Sequence, residues 1–156
     1  MRARDVMTSP VITLRRDTPV RAAAALLVAH GFTAAPVVDG GQMIGIANEA
    51  DLMRGHIVPD GWVVDELPEA TVEAIMTPAP LSARPEDDLA DVVAQMLDRG
   101  VRPVPVVDHG QPVGIVSRRE VLRCVARREL TSQDVRQRRR TGSQPIDTAS
   151  MRGTRA

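Results

Sequence analysis

The chain has 156 residues, 43% of them hydrophobic, with twenty arginines against twenty acids and no lysine. That suits one compact domain or two small halves sharing a core of Val, Ile, Leu, Ala and Met, since Phe32 and Trp62 are its aromatics. A membrane protein and a disulfide scaffold are both excluded from the expectation. No apolar run approaches the ~18 residues that span a bilayer, and Cys124 is the lone cysteine. Met1–Asp5 leads into a polar motif rather than a signal-peptide core, so a cytoplasmic location is expected.

Arg4 to Met7 reads as a short helical turn stopped by Ser9-Pro10, and the β-branched run Val11-Ile12-Thr13-Leu14 reads as a strand. Thr18-Pro19 supplies an N-cap followed by a first-turn proline. The helix is expected over Pro19–His30 with Gly31 as its stop. Val20, Ala23, Ala24 and Leu27 then share one face. Ala35–Val38 and Met43–Ile46 are short strands around Asp39-Gly40-Gly41, whose glycines indicate a hairpin turn. A second helix follows over Glu49–Arg54. Beyond it, residues 56–70 read as a linker, with a turn at Pro59-Asp60-Gly61 and Trp62-Val63-Val64 as an anchor or a cover for apolar surface.

The stretch from Met76 to Arg123 then repeats the stretch from Met7 to Arg54 without a gap, sixty-nine positions on. Pro36-Val37-Val38-Asp39 meets Pro105-Val106-Val107-Asp108, and Gly45-Ile46 meets Gly114-Ile115. In the second copy Leu89, Val92, Val93 and Met96 form the apolar helix face, and Glu86, Asp87 and Asp88 crowd the first turn, where the helix dipole favours acids. Strands over Val104–Val107 and Val113–Val116 flank a turn at Asp108-His109-Gly110. A helix from Arg118 is expected to run through Leu130, with Thr131–Asp134 capping another turn, and the chain beyond Arg140 is expected to be disordered. Each copy thus reads strand, helix, strand, strand, helix. Two copies do not make a solenoid; they are expected to pair face to face about a pseudo-twofold axis, with function in the clefts between the halves.

Gly45-Ile46-Ala47-Asn48-Glu49-Ala50-Asp51 and Gly114-Ile115-Val116-Ser117-Arg118-Arg119-Glu120 each lead from a strand into a helix N-terminus. Free N–H groups and the dipole favour phosphate at such a place, and a carboxylate one turn along can accept from ribose hydroxyls. With Val6-Met7-Thr8, Gly31 to Asp39 and their partners in the second copy, these segments resemble the cystathionine-β-synthase (CBS) domain family, as a tandem pair or Bateman module. The resemblance covers roughly Arg4 to Arg123. It implies an α+β fold of two β-α-β-β-α motifs related by a pseudo-twofold axis, with small sheets flanked by helices. The parts are residues 1–55 and 71–130 as the two motifs, 56–70 as linker and 131–156 as an Arg-rich, largely disordered tail.

The resemblance also implies adenosine-containing ligands, namely AMP, ADP, ATP or S-adenosylmethionine, and no required cofactor. Asp51 and Glu120 are the ribose carboxylates, the second with an extra methylene that moves its carboxylate relative to the usual aspartate. Asn48 and Ser117 stand at the capping position. Thr13, Ala35, Pro36, Ser82, Val104 and Pro105 lie where the family holds adenine and ribose, while Arg102, Arg118 and Arg119 are placed to meet phosphates.

Blander readings apply to the same residues. Asp51 and Glu120 also read as exposed helix acids, Thr8 and Thr77 as residues that end a turn, and Thr13 and Ser82 as solvent-facing strand hydroxyls. His30, His56 and His109 lack metal-ligand spacing, and Cys124 reads as a small buried residue. No catalytic constellation is present, and no enzyme domain is expected after Arg123. The leading expectation is a stand-alone regulatory module, not an enzyme, forming a homodimer through helix faces with Ala22, Ala25, Leu26, Val121 and Leu122. Nine arginines against three acids from Arg123 onward give that end a charge of +6. The alternative is therefore a ligand-free dimerising scaffold whose basic tail recruits an acidic or nucleic-acid partner. Without interleaved aromatics or a nucleic-acid fold, a solvated tail is preferred to nucleic-acid binding.

Overall fold

The computed structural model describes residues 1–55, 69–78, 81–100, 102–130 and 132–141. The linker turn at Pro59-Asp60-Gly61, the Trp62 anchor and the disorder expected beyond Arg140 (Thr141 apart) therefore lie outside the described residues. In chain order the elements begin with helix α1 (Ala3–Val6), strand β1 (Leu14–Arg15), helix α2 (Val20–His30), strands β2 (Ala34–Asp39) and β3 (Gln42–Asn48), and helix α3 (Glu49–Arg54). Then come α4 (Val72–Ile75), β4 (Thr77–Pro78), α5 (Leu89–Asp98), β5 (Val104–Asp108), β6 (Gln111–Val116), α6 (Arg118–Ala126) and α7 (Ser132–Thr141). The architecture is α+β, with small sheets flanked by helices.

These elements gather into two compact units that are cut differently from the sequence repeat. Residues Ile12–Ala79 form one, and Met1–Val11 joins Pro80–Ala156 in the other. Each unit takes its short opening helix from the other copy, so α1 belongs with the second repeat and α4 with the first.

In the unit Ile12–Ala79 the sheet order is β1-β2-β3-β4. β2 and β3 form an antiparallel hairpin, and β4 pairs antiparallel with β3 through Ile46 opposite Thr77. Gly40 and Gly41 have φ of +56° and +79°, the two-residue geometry that matches strand twist and suits glycine. The expected strand Val11–Leu14 shrinks to Leu14–Arg15, paired parallel with Val37 and Val38. Its first residues are instead the crossover by which the chain leaves the other unit. Val20, Ala23 and Leu27 of α2 face a core with Leu14, Val37, Leu52 and Val72, and Ala24 packs at its edge. The cap of α2 differs from expectation. Pro19 is the N-cap without a side-chain bond, because Thr18 Oγ1 accepts from Arg15 N at 3.1 Å instead.

In the other unit β5 and β6 form the hairpin, with His109 (φ +50°) and Gly110 (φ +81°) at its turn. The hydrogen bonding is thinner than in the first copy. Among the described residues, a single parallel bridge, Ala83 to Val106, replaces β1, and a single bridge, Thr8 to Ile115, replaces β4. Helix α5 buries Leu89, Val92, Val93 and Met96 as expected, and Ala90 and Ala94 as well, since α7 lies against it. Val135 of α7 and Leu130 are buried in the same core, so the turn expected at Thr131–Asp134 is in fact a full helix built into this unit. Two further expectations change. Helix α6 ends at Ala126 rather than Leu130, with Arg128 at φ +58°. Asp87 and Asp88 precede α5 rather than crowd its first turn, accepting from Arg84 N and Ala90 N at 2.8 Å.

The exchanged segments explain one glycine in each hairpin. A Cβ on Gly45 would stand 2.7 Å from Met76 Sδ and 2.8 Å from the Thr77 carbonyl oxygen, and one on Gly114 would collide with the Met7 side chain. Each methionine lies across the bare backbone of a strand. Gly45→Ala and Gly114→Ala are each expected to cost about 1–3 kcal/mol in thermal or denaturant unfolding, as overpacking does. Met7→Ala should relieve part of the Gly114→Ala cost, because Sδ and Cγ leave while the Met7 Cβ stays 2.9 Å from the added methyl, giving a double variant more stable than the two single losses predict. Met76→Ala should likewise relieve only part of the Gly45→Ala cost, because the Thr77 carbonyl oxygen remains 2.8 Å away. Simple additivity in the Met7–Gly114 pair would count against the contact.

Candidate functional site

The two strand-to-helix junctions share one local design. At the first, Asn48 has extended backbone (φ −107°, ψ 174°) and caps α3. Its Oδ1 accepts from Asp51 N at 2.9 Å, while Asp51 Oδ2 accepts from Asn48 N at 3.1 Å, the reciprocal pattern of a capping box. At the second, Ser117 has the same backbone (φ −108°, ψ 173°) and caps α6. Glu120 Oε2 accepts from Ser117 N at 2.7 Å and from Ser117 Oγ, and that Oγ in turn accepts from Arg119 N at 3.3 Å.

Each carboxylate has one more partner, and here the copies part. Asp51 Oδ1 forms an ion pair with Arg54, one turn along α3. Glu120 Oε1 accepts from Thr8 Oγ1 at 2.6 Å, a bond reaching across 112 positions of sequence. The blander reading of exposed helix acids is overturned, since Asp51 is 2% exposed and Glu120 7%. Thr8 does more than end a turn, because Met7 is the C-cap of α1 and the Thr8 hydroxyl goes to Glu120. A carboxylate offers about four lone-pair positions. Among the described residues, the bonds above use two of these at Asp51 and three at Glu120.

The remaining expected residues scatter. Ala35, Pro36, Val104 and Pro105 are buried in β2 and β5, facing Ala47, Ile46, Val116 and Ile115 across their hairpins. Ser82 is fully buried rather than solvent-facing, while Thr13 is exposed and lies before β1 rather than in it. Arg118 and Arg119 open α6 and Arg102 precedes β5. All three are exposed and form no ion pair among the described residues. Cys124 is buried, and its burial, with Glu129 close by, pushes the thiol up.

Sequence reasoning missed Arg54 and the Thr8–Glu120 bond. The spacing of Arg54 three after Asp51 on a helix is a usable signal; nothing local announces Thr8. A surface depression of about 570 Å³ lies elsewhere, beside Arg15, Arg16, Asp17 and Gly40. Arg15 is paired with Asp17, and Arg16 with Asp39 and Glu73, so it offers no free cation.

Burial works to raise the Glu120 carboxyl, but the hydrogen bonds from Ser117 Oγ, Thr8 Oγ1 and Ser117 N outweigh it and hold the group below its ordinary value. The unfolded chain then binds the proton more readily. Stability from this network is present above the unfolded pKa and is lost as pH falls through the folded one. Glu120→Gln is expected to be less stable than the parent at neutral pH, on the order of 1 kcal/mol. The two melting curves should converge in acid. A gap unchanged from neutral to acid pH would show that the charge of Glu120 is not what the bonds stabilise.

Comparison with known proteins places this geometry. The sequence matches the CBS domain over residues 3–56 and 72–127. The CBS domain-containing protein YhcV of Bacillus subtilis is 28% identical over 73% of this chain and 78% of its own length. An uncharacterized protein of Methanocaldococcus jannaschii, MJ1225, is 29% identical, but the match spans 39% of it. An L-aspartate semialdehyde sulfurtransferase of Methanosarcina acetivorans is 30% identical over 80% of this chain, which spans 24% of that enzyme. Among solved structures, the CBS domain pair of protein MJ0100 in complex with 5′-methylthioadenosine and S-adenosyl-L-methionine superposes with a TM-score of 0.71 at 25% identity, covering 82% of this chain and 98% of that one. CBSX2 in complex with AMP gives 0.70 at 28% identity, covering 83% and 98%. The chain belongs to the CBS domain family and carries two copies of the domain.

Proposed function

We propose that this protein is a regulatory CBS pair that binds an adenosine-containing ligand at its strand-to-helix junctions and signals by a conformational or oligomeric change. The observation that carries this reading is the paired junction, in which a buried carboxylate with unused lone pairs stands at a helix start in each copy. Its support is the likeness to CBS pairs solved with AMP or with S-adenosylmethionine and methylthioadenosine. The ligand class is AMP, ADP, ATP or S-adenosylmethionine. Asp51 and Glu120 take ribose hydroxyls, and Arg102, Arg118 and Arg119 serve phosphates. No catalytic step is assigned. The enzyme relatives are matched over about a quarter of their length or less, which leaves most of each enzyme without a counterpart here. To act as a switch, the ligand must prefer one arrangement of the protein to another.

Self-association is part of the same reading. Leu26 and Val28 on α2 are 39% and 83% exposed, and Leu122 and Val125 on α6 are 62% and 50% exposed. Ala22 and Ala25 are exposed beside Leu26. Val121, expected on such a face, instead packs against the core. These faces also favour the alternative of a dimerising scaffold that needs no ligand, with its basic end recruiting a partner.

Calorimetric titration with AMP, ADP, ATP and S-adenosylmethionine separates the two. Saturable binding is expected with at least one ligand. Asp51→Asn or Glu120→Gln should weaken it about tenfold or more, the worth of a hydrogen bond to a charged group. Both substitutions keep the side-chain shape, and thermal melts check that each variant folds. Absence of heat and of any thermal shift with all four ligands would leave the scaffold as the surviving reading.

A further inference from the structure

We propose that Thr8 is a positioning residue for ligand binding at Glu120, a role that Thr77, its counterpart sixty-nine positions on, does not share. The inference rests on the adenosine reading above and adds a residue that neither the repeat nor the capping motif assigns. The Thr8 hydroxyl donates to Glu120 Oε1 at 2.6 Å, while Ser117 holds Oε2. Both carboxylate oxygens are therefore pinned, and the plane of the group is set by bonds from two distant segments.

The donor itself is fixed. Thr8 N donates to the Ile115 carbonyl at 2.9 Å, and Ile115 N donates back to the Thr8 carbonyl at 3.1 Å. Met7 lies against Gly114, and the preceding turn is tied down by Ala3 N to Asp87 O at 2.8 Å and Arg4 N to Pro85 O at 3.0 Å. A hydroxyl on so anchored a backbone can orient the remaining lone pair of Oε1 toward one direction. A ribose hydroxyl would have to approach from there.

Thr77 occupies the equivalent backbone position, opposite Ile46. Asp51 is one methylene shorter than Glu120, and its outer oxygen goes to Arg54, so no Thr77–Asp51 bond forms. The longer acid meets a hydroxyl, and the shorter one meets a cation.

The test uses the full chain and two probes, AMP and 2′,3′-dideoxy-AMP, which lacks both ribose hydroxyls. Thr8→Val is expected to weaken AMP about three- to tenfold, the effect of one modest hydrogen bond, and to leave the weaker dideoxy-AMP binding unchanged. Thr8→Ser should restore AMP affinity, and Thr77→Val should have no effect. Should Thr8→Val fail to fold, Thr8→Ala serves instead, because it removes the hydroxyl without moving the Glu120 carboxylate's own side chain. The same ribose-dependent loss is then expected. Equal losses for both nucleotides would reveal a purely structural threonine and overturn the proposal. So would AMP binding that is indifferent to Thr8 but abolished by Asp51→Asn, which leaves the adenosine reading intact. AMP binding by neither parent nor variants would overturn both.

Discussion

The contact on which the rest of this structure depends is a methionine laid across a strand where a side chain is missing. Met7 over Gly114 and Met76 over Gly45 are the same contact made twice, each between the segment that opens one repeat and the hairpin of the other. A strand residue with no Cβ permits another backbone to come close, and the backbone that comes is followed by a threonine at the open edge of the sheet. The opening helices, the short edge pairings at Thr77 and Thr8 and the support of Glu120 all follow from that exchange. Each unit is completed by residues that the sequence places with its neighbour.

This is also where reading the sequence alone stops. The repeat was legible as a gapless match sixty-nine positions on, and both hairpin turns, the apolar faces of α2 and α5 and the two capping positions because each is a pattern of closely spaced residues. Gly40-Gly41 requires a particular turn, and Asn48 with Asp51, like Ser117 with Glu120, has the spacing of a capping box. The exchange was not legible. Met7 and Gly114 read as two repeat landmarks, and their contact is set by packing across the chain rather than by any local preference. The Thr8–Glu120 bond was hidden for the same reason. The length of α7 was underestimated because its only apolar anchor, Val135, stands among Arg and Gln residues with a weak period.

Two junctions with one backbone geometry have acquired different chemistry. At the first, the negative charge of Asp51 is answered by Arg54, three residues on. At the second, Glu120 is held by hydroxyls and a backbone N–H, with Arg118 and Arg119 exposed beside it. A charge balanced by a guanidinium and a charge balanced by neutral donors present different fields to an incoming ligand. An internal duplication can thus keep its fold while its two sites cease to be equivalent, through changes of one methylene and one cation.

Because the opening segments are exchanged, the two repeats are not separable cassettes. A fragment ending in the linker would carry α1 and Met7 with no Gly114 to lie on, and its own Gly45 would face solvent along an unprotected strand edge. Unpaired edges recruit other chains. Such a fragment would tend to repair itself with the matching piece of a second molecule, an intermolecular version of the same exchange. Cutting the gene between the copies would therefore make an assembling peptide, whereas excising one structural unit intact takes two cuts, between Val11 and Ile12 and between Ala79 and Pro80.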